Sequence, residues 1–340
     1  MRTTSRHRAA ARVIAVITAG LLVAACSDDG GTEGGGAAGN YPDQNITFVV
    51  PFSAGGPTDT VTRMIAEPMA KKLGGKIVVQ NVEGAGGTVA AGEVARAKAD
   101  GYTVLMHHIG MSTAPALYKN LGYKPLESFE MVGLVTEVPM TIVARKDFPP
   151  ATLQDLVTYV KANSSKVTLA NAGRGAASHL CGLLFQTAVG VKLQEVPYQG
   201  TGPALTDLVG GQVDFMCDQT TNTTGQISAG KVKAYAVTTP ERLKSLPDLP
   251  TTTEAGLAQL KVSVWHGLYV PADTPDEIVQ KLSEALKAAL ADQGVIDQMA
   301  KLGTAPVRAE DATPQAHRAK LEEQLSTWAK VIADAGVQAS

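Results

Sequence analysis

The sequence contains few aromatic residues, no excess of basic residues and only three cysteines. Phe, Trp and Tyr make up 5% of its 340 residues, so Val, Leu, Ile and Ala must pack its cores. Lys and Arg number 30 against 32 Asp and Glu, which gives a net charge of −2. Because proteins that bind nucleic acid normally carry a basic stripe, nucleic acid is excluded as an expected partner. The chain is long enough for two domains of ordinary size.

Recognisable metal-ligand spacings are also missing. His107 and His108 are adjacent, but neighbouring side chains on a strand point to opposite faces. No other His, Cys or acidic residue lies near them in a spacing typical of a metal site. The sequence therefore predicts no metal and no cofactor. We expect one of these two histidines to pack inward and the other, His108, to face a ligand.

The apolar run at residues 13–23 is too short to cross a membrane comfortably. It follows an arginine-rich start and indicates an export signal over residues 1–25. The signal closes on Leu22-Val-Ala-Ala-Cys26, which resembles the lipobox of bacterial lipoproteins, so we expect Cys26 to be acylated and to hold the exported chain at a membrane. A plain secretory signal cleaved near Ala25 is the alternative. The Gly-, Ser- and Asp-rich residues 26–40 predict a flexible tether.

A glycine loop follows the first strand of the folded body. Ile46 to Val50 is a short apolar, β-branched run and predicts a buried strand. Residues 53–56 form a tight loop, and Thr58 or Asp59 is placed to cap the helix that follows. This order directs free backbone N–H groups and the positive end of a helix dipole at an anion. An ordinary turn between strand and helix is the alternative.

The same order of strand, small-residue loop and helix recurs along the chain. Further loops lie at residues 83–87, 172–179 and 199–204, and Asp147-Phe-Pro-Pro150 interrupts the series. This repetition on both sides of a break predicts two similar α/β lobes. Ligands bind at the carboxyl edge of the strands in open α/β folds, so we expect the loops to meet at one cleft.

Six segments of the chain carry a family resemblance, namely residues 49–59, 81–87, 100–103, 198–204, 210–214 and 249–256. In this order they resemble the substrate-binding receptors of tripartite tricarboxylate transporters, the Bug family of extracytoplasmic solute receptors. The resemblance covers roughly residues 41 to 335.

The resemblance implies a fold and a function. The fold is α/β, of the two-lobed periplasmic-binding-protein type (type II), with two parallel-rich sheets flanked by helices and two crossing segments. Lobe 1 comprises residues 41–145 and 265–340, and lobe 2 comprises residues 146–264. The implied function is capture of a small organic carboxylate between the lobes for delivery to the membrane subunits of a transporter. We expect a monomer without enzymatic activity.

The resemblance also implies which residues line the cleft. For Asp59 and Asp218, helix capping is the alternative to ligand contact. Arg174 in the third loop is placed to pair with a distal carboxylate, or it is a solvated surface residue. The implied ligand-binding residues are Phe52, Ser53, Ala54, Gly55, Gly56, Thr58, Asp59, His108, Ser178, His179, Tyr198, Gly200, Thr201 and Asp218.

Two other chemistries are suggested by short motifs. Gly110-x-Ser112-x-Ala114 is close to a nucleophile elbow, with His266 or His317 as the base, so an exported serine hydrolase is the alternative function. Gly84-x-Gly86 follows a strand, as in dinucleotide-binding proteins. Val89, however, stands where the third Gly or Ala of that fingerprint belongs, so we do not expect a dinucleotide.

Two cysteines remain after Cys26. Cys181 lies in the first turn of the helix after the third loop, and Cys217 lies at the carboxyl end of a strand. Helix N-termini and strand C-termini gather at the same edge of a parallel sheet, so we expect Cys181 and Cys217 to form a disulfide in an oxidising compartment. Two buried free thiols are the alternative.

Overall fold

A computed structural model describes residues 40–339 of the chain. The predicted export signal, Cys26 and all of the predicted tether except residue 40 lie outside the described residues. The strands are β1 (Ile46–Val50), β2 (Ile77–Asn81), β3 (Thr103–His108), β4 (Phe129–Arg145), β5 (Thr168–Asn171), β6 (Gln194–Pro197), β7 (Phe215–Gln219), β8 (Val232–Val237) and β9 (Ser263–Pro271). The α-helices are α1 (Pro57–Leu73), α2 (Thr88–Val94), α3 (Gly110–Leu117), α4 (Leu153–Asn163), α5 (Ala177–Val189), α6 (Thr201–Val209), α7 (Thr220–Ser228), α8 (Asp276–Leu290), α9 (Gln293–Lys301) and α10 (Pro314–Asp334).

The long strand β4 belongs to both halves of the sheet. As far as Pro139 it pairs antiparallel with β9, and from Met140 to Arg145 it pairs antiparallel with β7 and β8. Lobe 1 therefore has the strand order β2-β1-β3-β9-β4, and lobe 2 has β4-β7-β5-β6, with β8 also on β4. The change of partner between Pro139 and Met140 precedes the lobe boundary predicted at residue 145, which stays a prediction.

Parallel pairing is concentrated where the sequence repeats strand, loop and helix. β1 is parallel to both β2 and β3, and β5 is parallel to both β6 and β7. The carboxyl ends of these strands therefore lie at one edge of each lobe, and the loops that follow them lie there too. The chain has the predicted two-lobed α/β fold, and the antiparallel strands β4 and β9 connect its lobes.

Helices cover both faces of the sheet in lobe 1. Phe48, Ile65 and Leu282 are fully buried where α1 and α8 pack on one face. On the other face, Trp328 of α10 and Tyr269 of β9 are buried in one apolar core. These residues come from distant parts of the sequence, so α8 and α10 complete a lobe that begins at β1. No helix within residues 40–339 is both long enough and apolar enough to cross a membrane.

A disulfide joins helix and sheet in lobe 2. Cys181 of α5 is bonded to Cys217 of β7, and their Cα atoms lie 5.9 Å apart. Beside it, the rings of Phe185 and Phe215 pack edge to face with centroids 5.4 Å apart. The bond therefore fixes the start of α5 to the end of β7, next to the cleft between the lobes.

Candidate ligand-binding cleft

Four helices begin at the seam between the lobes. Helix α1 follows β1 in lobe 1, and α5, α6 and α7 follow β5, β6 and β7 in lobe 2. The first amides of a helix have no acceptor within it, and the helix dipole places partial positive charge there. No Lys or Arg is found among the described residues that line the small cavity at this seam, whereas the first residues of α1, α5 and α6 do line it. The lining residues are Phe52, Pro57, Thr58, His108, Ala172, Ala176, Ala177, Ser178, Thr201, Asp218 and Gln219.

The first and fourth glycine loops touch across the seam. The amide of Ser53 donates to the carbonyl of Gln199 at 3.2 Å. A β-carbon built on Gly200 would lie 3.0 Å from the nitrogen of Ser53, and one on Gly202 would lie 3.3 Å from the carbonyl oxygen of Ala54. Glycine is therefore required in the lobe-2 loop because the two backbones approach each other closely.

The second and third glycine loops form another contact between the lobes. A β-carbon on Gly86 would lie only 1.9 Å from the carbonyl oxygen of Arg174. The hydroxyl of Tyr118 lies 2.8 Å from that same oxygen, and the hydroxyl of Thr113 donates to the carbonyl of Gly175 at 3.2 Å. Both pairs of loops are thus in contact, and the structure is that of a closed cleft.

Asp59 braces the first loop and is not among the cavity-lining residues. It lies in the first turn of α1, which begins after Gly56 without a side-chain cap, so the predicted capping role is wrong. Its carboxylate accepts from the amide of Gly55 at 2.9 Å, from Arg63 at 2.9 Å and from Asn81 at 3.0 Å. Burial acts to raise the pKa of Asp59, but these hydrogen bonds outweigh it and hold the pKa below its ordinary value.

The hydrogen bonds of His108, a residue that lines the cavity, show which of its ring nitrogens carries the proton. Its Nδ1 accepts from the amide of Gly110 at 2.9 Å, so the proton of the neutral ring is on Nε2. Burial, with His107 and His266 nearby, holds the pKa of His108 well below its ordinary value. The ring stacks on Phe52 at 4.8 Å between centroids. His108 is therefore a neutral hydrogen-bond donor that the aromatic contact holds in place.

Thr58 and Ser178 place hydroxyl groups at the cavity from opposite lobes. The Thr58 hydroxyl lies 3.3 Å from Nε2 of His266, whose Nδ1 faces the carbonyl of Val264 at 3.2 Å. This arrangement makes Thr58 the donor to His266 and leaves its oxygen lone pairs free. The Ser178 hydroxyl accepts from the amide of Ala172 at 2.8 Å, so its own proton is free to be donated.

Asp218 is a fully buried carboxylate at the end of β7. Its Oδ2 accepts from the side-chain amide of Asn222 at 2.5 Å, whereas its Oδ1 has no hydrogen-bond partner among residues 40–339. Burial raises the pKa of Asp218 to about 7. The residue before helix α7 is Gln219, and it makes no capping hydrogen bond with its side chain. Asp218 thus places a carboxyl group with one unpaired oxygen at the cavity, and it does not cap helix α7.

His179, Tyr198 and Arg174 do not line this cavity. His179 lies 3.6 Å from Glu195 and accepts from the amide of Gly175, and Tyr198 donates to Asp207 at 2.7 Å. The guanidinium of Arg174 donates to the carbonyl of Gln338 in the C-terminal segment. These side chains brace the walls of the cleft, and their contact with a ligand stays a prediction.

The residues that sequence reasoning missed are mostly small or apolar. Pro57, Ala172, Ala176 and Ala177 line the cavity with side chains that carry no chemical signal. Gln219 was missed although it follows Asp218 at the carboxyl end of a strand, where side chains of open α/β folds meet ligands. Its position after the strand was therefore the sequence feature that could have identified Gln219 as a cavity residue.

The nucleophile geometry of a serine hydrolase is not present in the described part of the chain. The hydroxyl of Ser112 is buried and donates to the carbonyl of Ile109 at 2.7 Å. His266 is occupied by Thr58 and Val264, and both ring nitrogens of His317 lack hydrogen-bond partners in residues 40–339. A serine nucleophile needs a hydrogen-bonded base, so Ser112 has a structural role.

Two lobes joined by long strands, with helix N-termini directed into the cleft between them, define a periplasmic solute-binding protein. The model of the tripartite tricarboxylate transporter family receptor matches residues 61–337, and the chain belongs to that family. It is a family of solute receptors and not of enzymes.

Solved structures agree with this assignment. The periplasmic binding protein BugD is 53% identical, with a TM-score of 0.87 over 88% of this chain and 100% of that one. MatC from Rhodopseudomonas palustris, with bound malate, is 43% identical, with a TM-score of 0.84 over 86% of this chain and 100% of MatC. Rpa4515 from the same organism, with adipate, is 31% identical, with a TM-score of 0.84 over 88% of this chain and 100% of Rpa4515.

Proposed function

We propose that the chain is an exported receptor that captures a small organic carboxylate in the cleft and delivers it to the membrane subunits of a tripartite tricarboxylate-type transporter. The observation that carries this proposal is the convergence of four helix N-termini on a cavity whose lining, within residues 40–339, contains neither lysine nor arginine. A carboxylate needs several N–H and O–H donors, and preorganised backbone amides supply them at no cost in side-chain entropy. Malate in MatC and adipate in Rpa4515 support the same ligand class.

Side-chain donors from both lobes complete the proposed site. His108 offers Nε2–H from lobe 1, and Ser178 offers its hydroxyl proton from lobe 2. A ligand that accepts from both donors is bound only when the lobes close. Closure therefore stabilises the complex and distinguishes the loaded receptor from the empty one. The side chains of Arg174, His179 and Tyr198 brace the walls of the cleft, and the cavity-lining residues contact the ligand.

Membrane attachment is a separate part of the proposal. Acylation of Cys26 tethers the monomeric receptor to a membrane through residues 26–40, within reach of the transporter. Exchange of Cys26→Ser leaves export intact but releases the protein from the membrane fraction. Mass spectrometry of the wild-type N-terminal peptide is expected to find a lipid on Cys26. An unmodified N-terminus beginning at residue 26, or nearby, contradicts the anchor without affecting the receptor function.

Calorimetric titration of the released Cys26→Ser protein tests ligand capture. We expect malate or adipate to bind with a single site, and 1,4-butanediol, which lacks the carboxylates, not to bind. A ligand bound only by the native state also raises the unfolding midpoint. The proposal is contradicted if no mono-, di- or tricarboxylate in a broad panel produces heat or raises that midpoint.

A further inference from the structure

A second cavity lies behind β9, on the face opposite to the one that carries His266. Trp265 and His266 are neighbours on this strand, so their side chains point to opposite faces. His266 lies 3.3 Å from the Thr58 hydroxyl at the cleft, whereas Trp265 lines the second cavity. This cavity has a volume of about 340 Å³, within the roughly 300–1,000 Å³ of sites that bind small molecules. We call it the hinge cavity, and no residue in the range 40–339 lines both it and the cleft cavity.

The hinge cavity lies where the crossing strands pass from one lobe to the other. It is lined by Glu137 of β4, just before the change of partner at Pro139, and by Ser263 at the start of β9. Residues 238–240, which follow β8, line it from lobe 2, and Trp328 of α10 lines it from lobe 1. A molecule bound there would therefore contact both lobes.

Aromatic walls and an unpaired donor distinguish the hinge cavity. Trp265 and Trp328 both line it, and they are the two tryptophans of the chain. The indole N–H of Trp328 donates to the side chain of Gln324 at 3.0 Å. The indole N–H of Trp265 is buried, and none of the described residues accepts its hydrogen bond. Because a buried donor without a partner is costly, this wall favours a molecule that brings an acceptor.

The charged side chains around the hinge cavity carry an excess of positive charge. Lys261 and Lys320 line it, and neither amino group is paired with another residue in the range 40–339. Glu137 is the one acidic residue in its described lining, and its carboxylate accepts from the hydroxyl of Ser263. Two unpaired ammonium groups beside one occupied carboxylate attract an anion.

We propose that the hinge cavity is a second binding site, which takes a small aromatic carboxylate and is separate from the cleft. The indole rings of Trp265 and Trp328 contact the aromatic ring of the ligand. The ammonium groups of Lys261 and Lys320 bind its carboxylate, and that group also brings an acceptor for the indole N–H of Trp265.

Tryptophan fluorescence of the Cys26→Ser protein, titrated with benzoate, tests this site. Both tryptophans line the hinge cavity, so their emission responds to its occupant. We expect a saturable change with benzoate. Benzyl alcohol, which has the same ring and no carboxylate, is expected to bind roughly tenfold more weakly or not at all. If benzoate gives neither a saturable change nor calorimetric heat, or if benzyl alcohol binds equally well, the inference is overturned while the proposed function stands.

Lys320→Gln assigns benzoate to the hinge cavity. We expect calorimetry to show affinity reduced roughly fivefold, because a half-buried ammonium group is lost. Lys330→Gln is the matched control, since Lys330 lies on the same helix outside the cavity and pairs with Asp334, and its affinity is expected to be unchanged.

The same comparison separates the two sites, because the described lining of the cleft cavity contains no lysine. Equal affinities in Lys320→Gln and Lys330→Gln would place benzoate elsewhere and overturn the inference. If Lys320→Gln does not fold, Lys261→Gln provides the same comparison from the start of β9.

Discussion

The amide of Ser53 in lobe 1 donates a hydrogen bond of 3.2 Å to the carbonyl of Gln199 in lobe 2. These residues lie in glycine loops that follow β1 and β6, and the loops meet backbone to backbone. A β-carbon on Gly200 or Gly202 would lie within 3.3 Å of the backbone of the lobe-1 loop and hold the lobes apart. The glycines at the seam therefore permit closure, in addition to shaping the turns.

Gly200→Ala is expected to weaken ligand binding roughly tenfold, which corresponds to about 1.4 kcal/mol. The φ angle of Gly200 is 176°, an extended conformation that any residue adopts, so the substitution does not strain the loop. The new methyl group would lie 3.0 Å from the nitrogen of Ser53 and oppose closure. Calorimetric titration with the wild-type ligand measures the effect.

Gly225→Ala is the control for that experiment. Gly225 lies in α7 of the same lobe, and a β-carbon there would meet nothing within 4 Å. The Gly225→Ala variant is expected to bind the ligand with the same affinity as the wild type. Equal affinities in both variants would mean that the contact between Ser53 and the loop at Gly200 does not limit closure.

Asp59→Asn is expected to lower the free energy of unfolding by about 1–3 kcal/mol at pH 7. The carboxylate accepts three hydrogen bonds that hold the first loop, and an amide cannot accept them all. Because the pKa of Asp59 is lowered in the folded protein, its contribution is present above pH 4 or so and lost as the pH falls further. Urea unfolding measures the loss.

Arg63→Gln provides the comparison for Asp59. The Arg63 side chain is 52% exposed, whereas that of Asp59 is 4% exposed, so loss of its charge is expected to cost less than about 1 kcal/mol. If Asp59→Asn is no more destabilising than Arg63→Gln, the loop does not depend on the buried carboxylate.

The strand, loop and helix order of the first site segment could be predicted from local pattern, but its fine geometry could not. β-Branched residues and paired glycines are local signals, and β1 and α1 lie where they indicate. Of the two glycines, only Gly55 has a positive φ, at 77°, whereas Gly56 is extended at −82°. The direction of the Asp59 side chain depends on Asn81, which is distant in sequence. Such contacts are tertiary and leave no local pattern.

Helix α7 could not be predicted from the local sequence pattern. Residues 220–224 are polar and rich in threonine, whose branched side chain disfavours helices, so the local pattern does not indicate a helix. In the structure, Thr220, Thr223 and Thr224 are buried, and Thr223 lies 2.8 Å from the hydroxyl of Thr141. Tertiary hydrogen bonds outweigh local propensity here, and they create a helix N-terminus at the cleft.

The disulfide between Cys181 and Cys217 is expected to stabilise lobe 2 by about 4 kcal/mol in the chain-entropy model. It joins residues separated by 36 positions in the sequence. Urea unfolding of the Cys181→Ser/Cys217→Ser double variant measures the contribution. Mass spectrometry of freshly exported, unreduced and alkylated protein provides the independent check. Alkylation of both cysteines in that sample would show that packing alone holds α5 to β7.

His317 is expected to make the protein less stable as the pH falls. Burial lowers its pKa to about 3, whereas the unfolded side chain takes up its proton near pH 6.5. The contribution of His317 to the free energy of unfolding is therefore fully present above pH 6.5. It is lost as the pH falls toward 3, by up to about 1.4 kcal/mol per pH unit. His317→Phe is expected to make this decline shallower. Parallel curves of unfolding free energy against pH for the two proteins would contradict the prediction.

Other buried groups also contribute to that curve, so the comparison with wild type is essential. The pKa values of His107, His108 and His266 are likewise lowered by burial and act in the same direction. Asp218 acts in the opposite direction. Its pKa is raised to about 7, so its folded form keeps a proton that the unfolded form releases near pH 4, and stability falls as the pH rises between these values.

The most direct test of the account is the distance between the lobes with and without ligand. Val89 on α2 and Val209 on α6 are 41% and 42% exposed and lie on different lobes, so cysteines there accept spin labels. In the Cys26→Ser protein, Cys181 and Cys217 are occupied by their disulfide. A dicarboxylate that binds by calorimetry is expected to convert a broad distance distribution into a single, shorter one. Superimposable distributions at saturating ligand would contradict closure around a carboxylate.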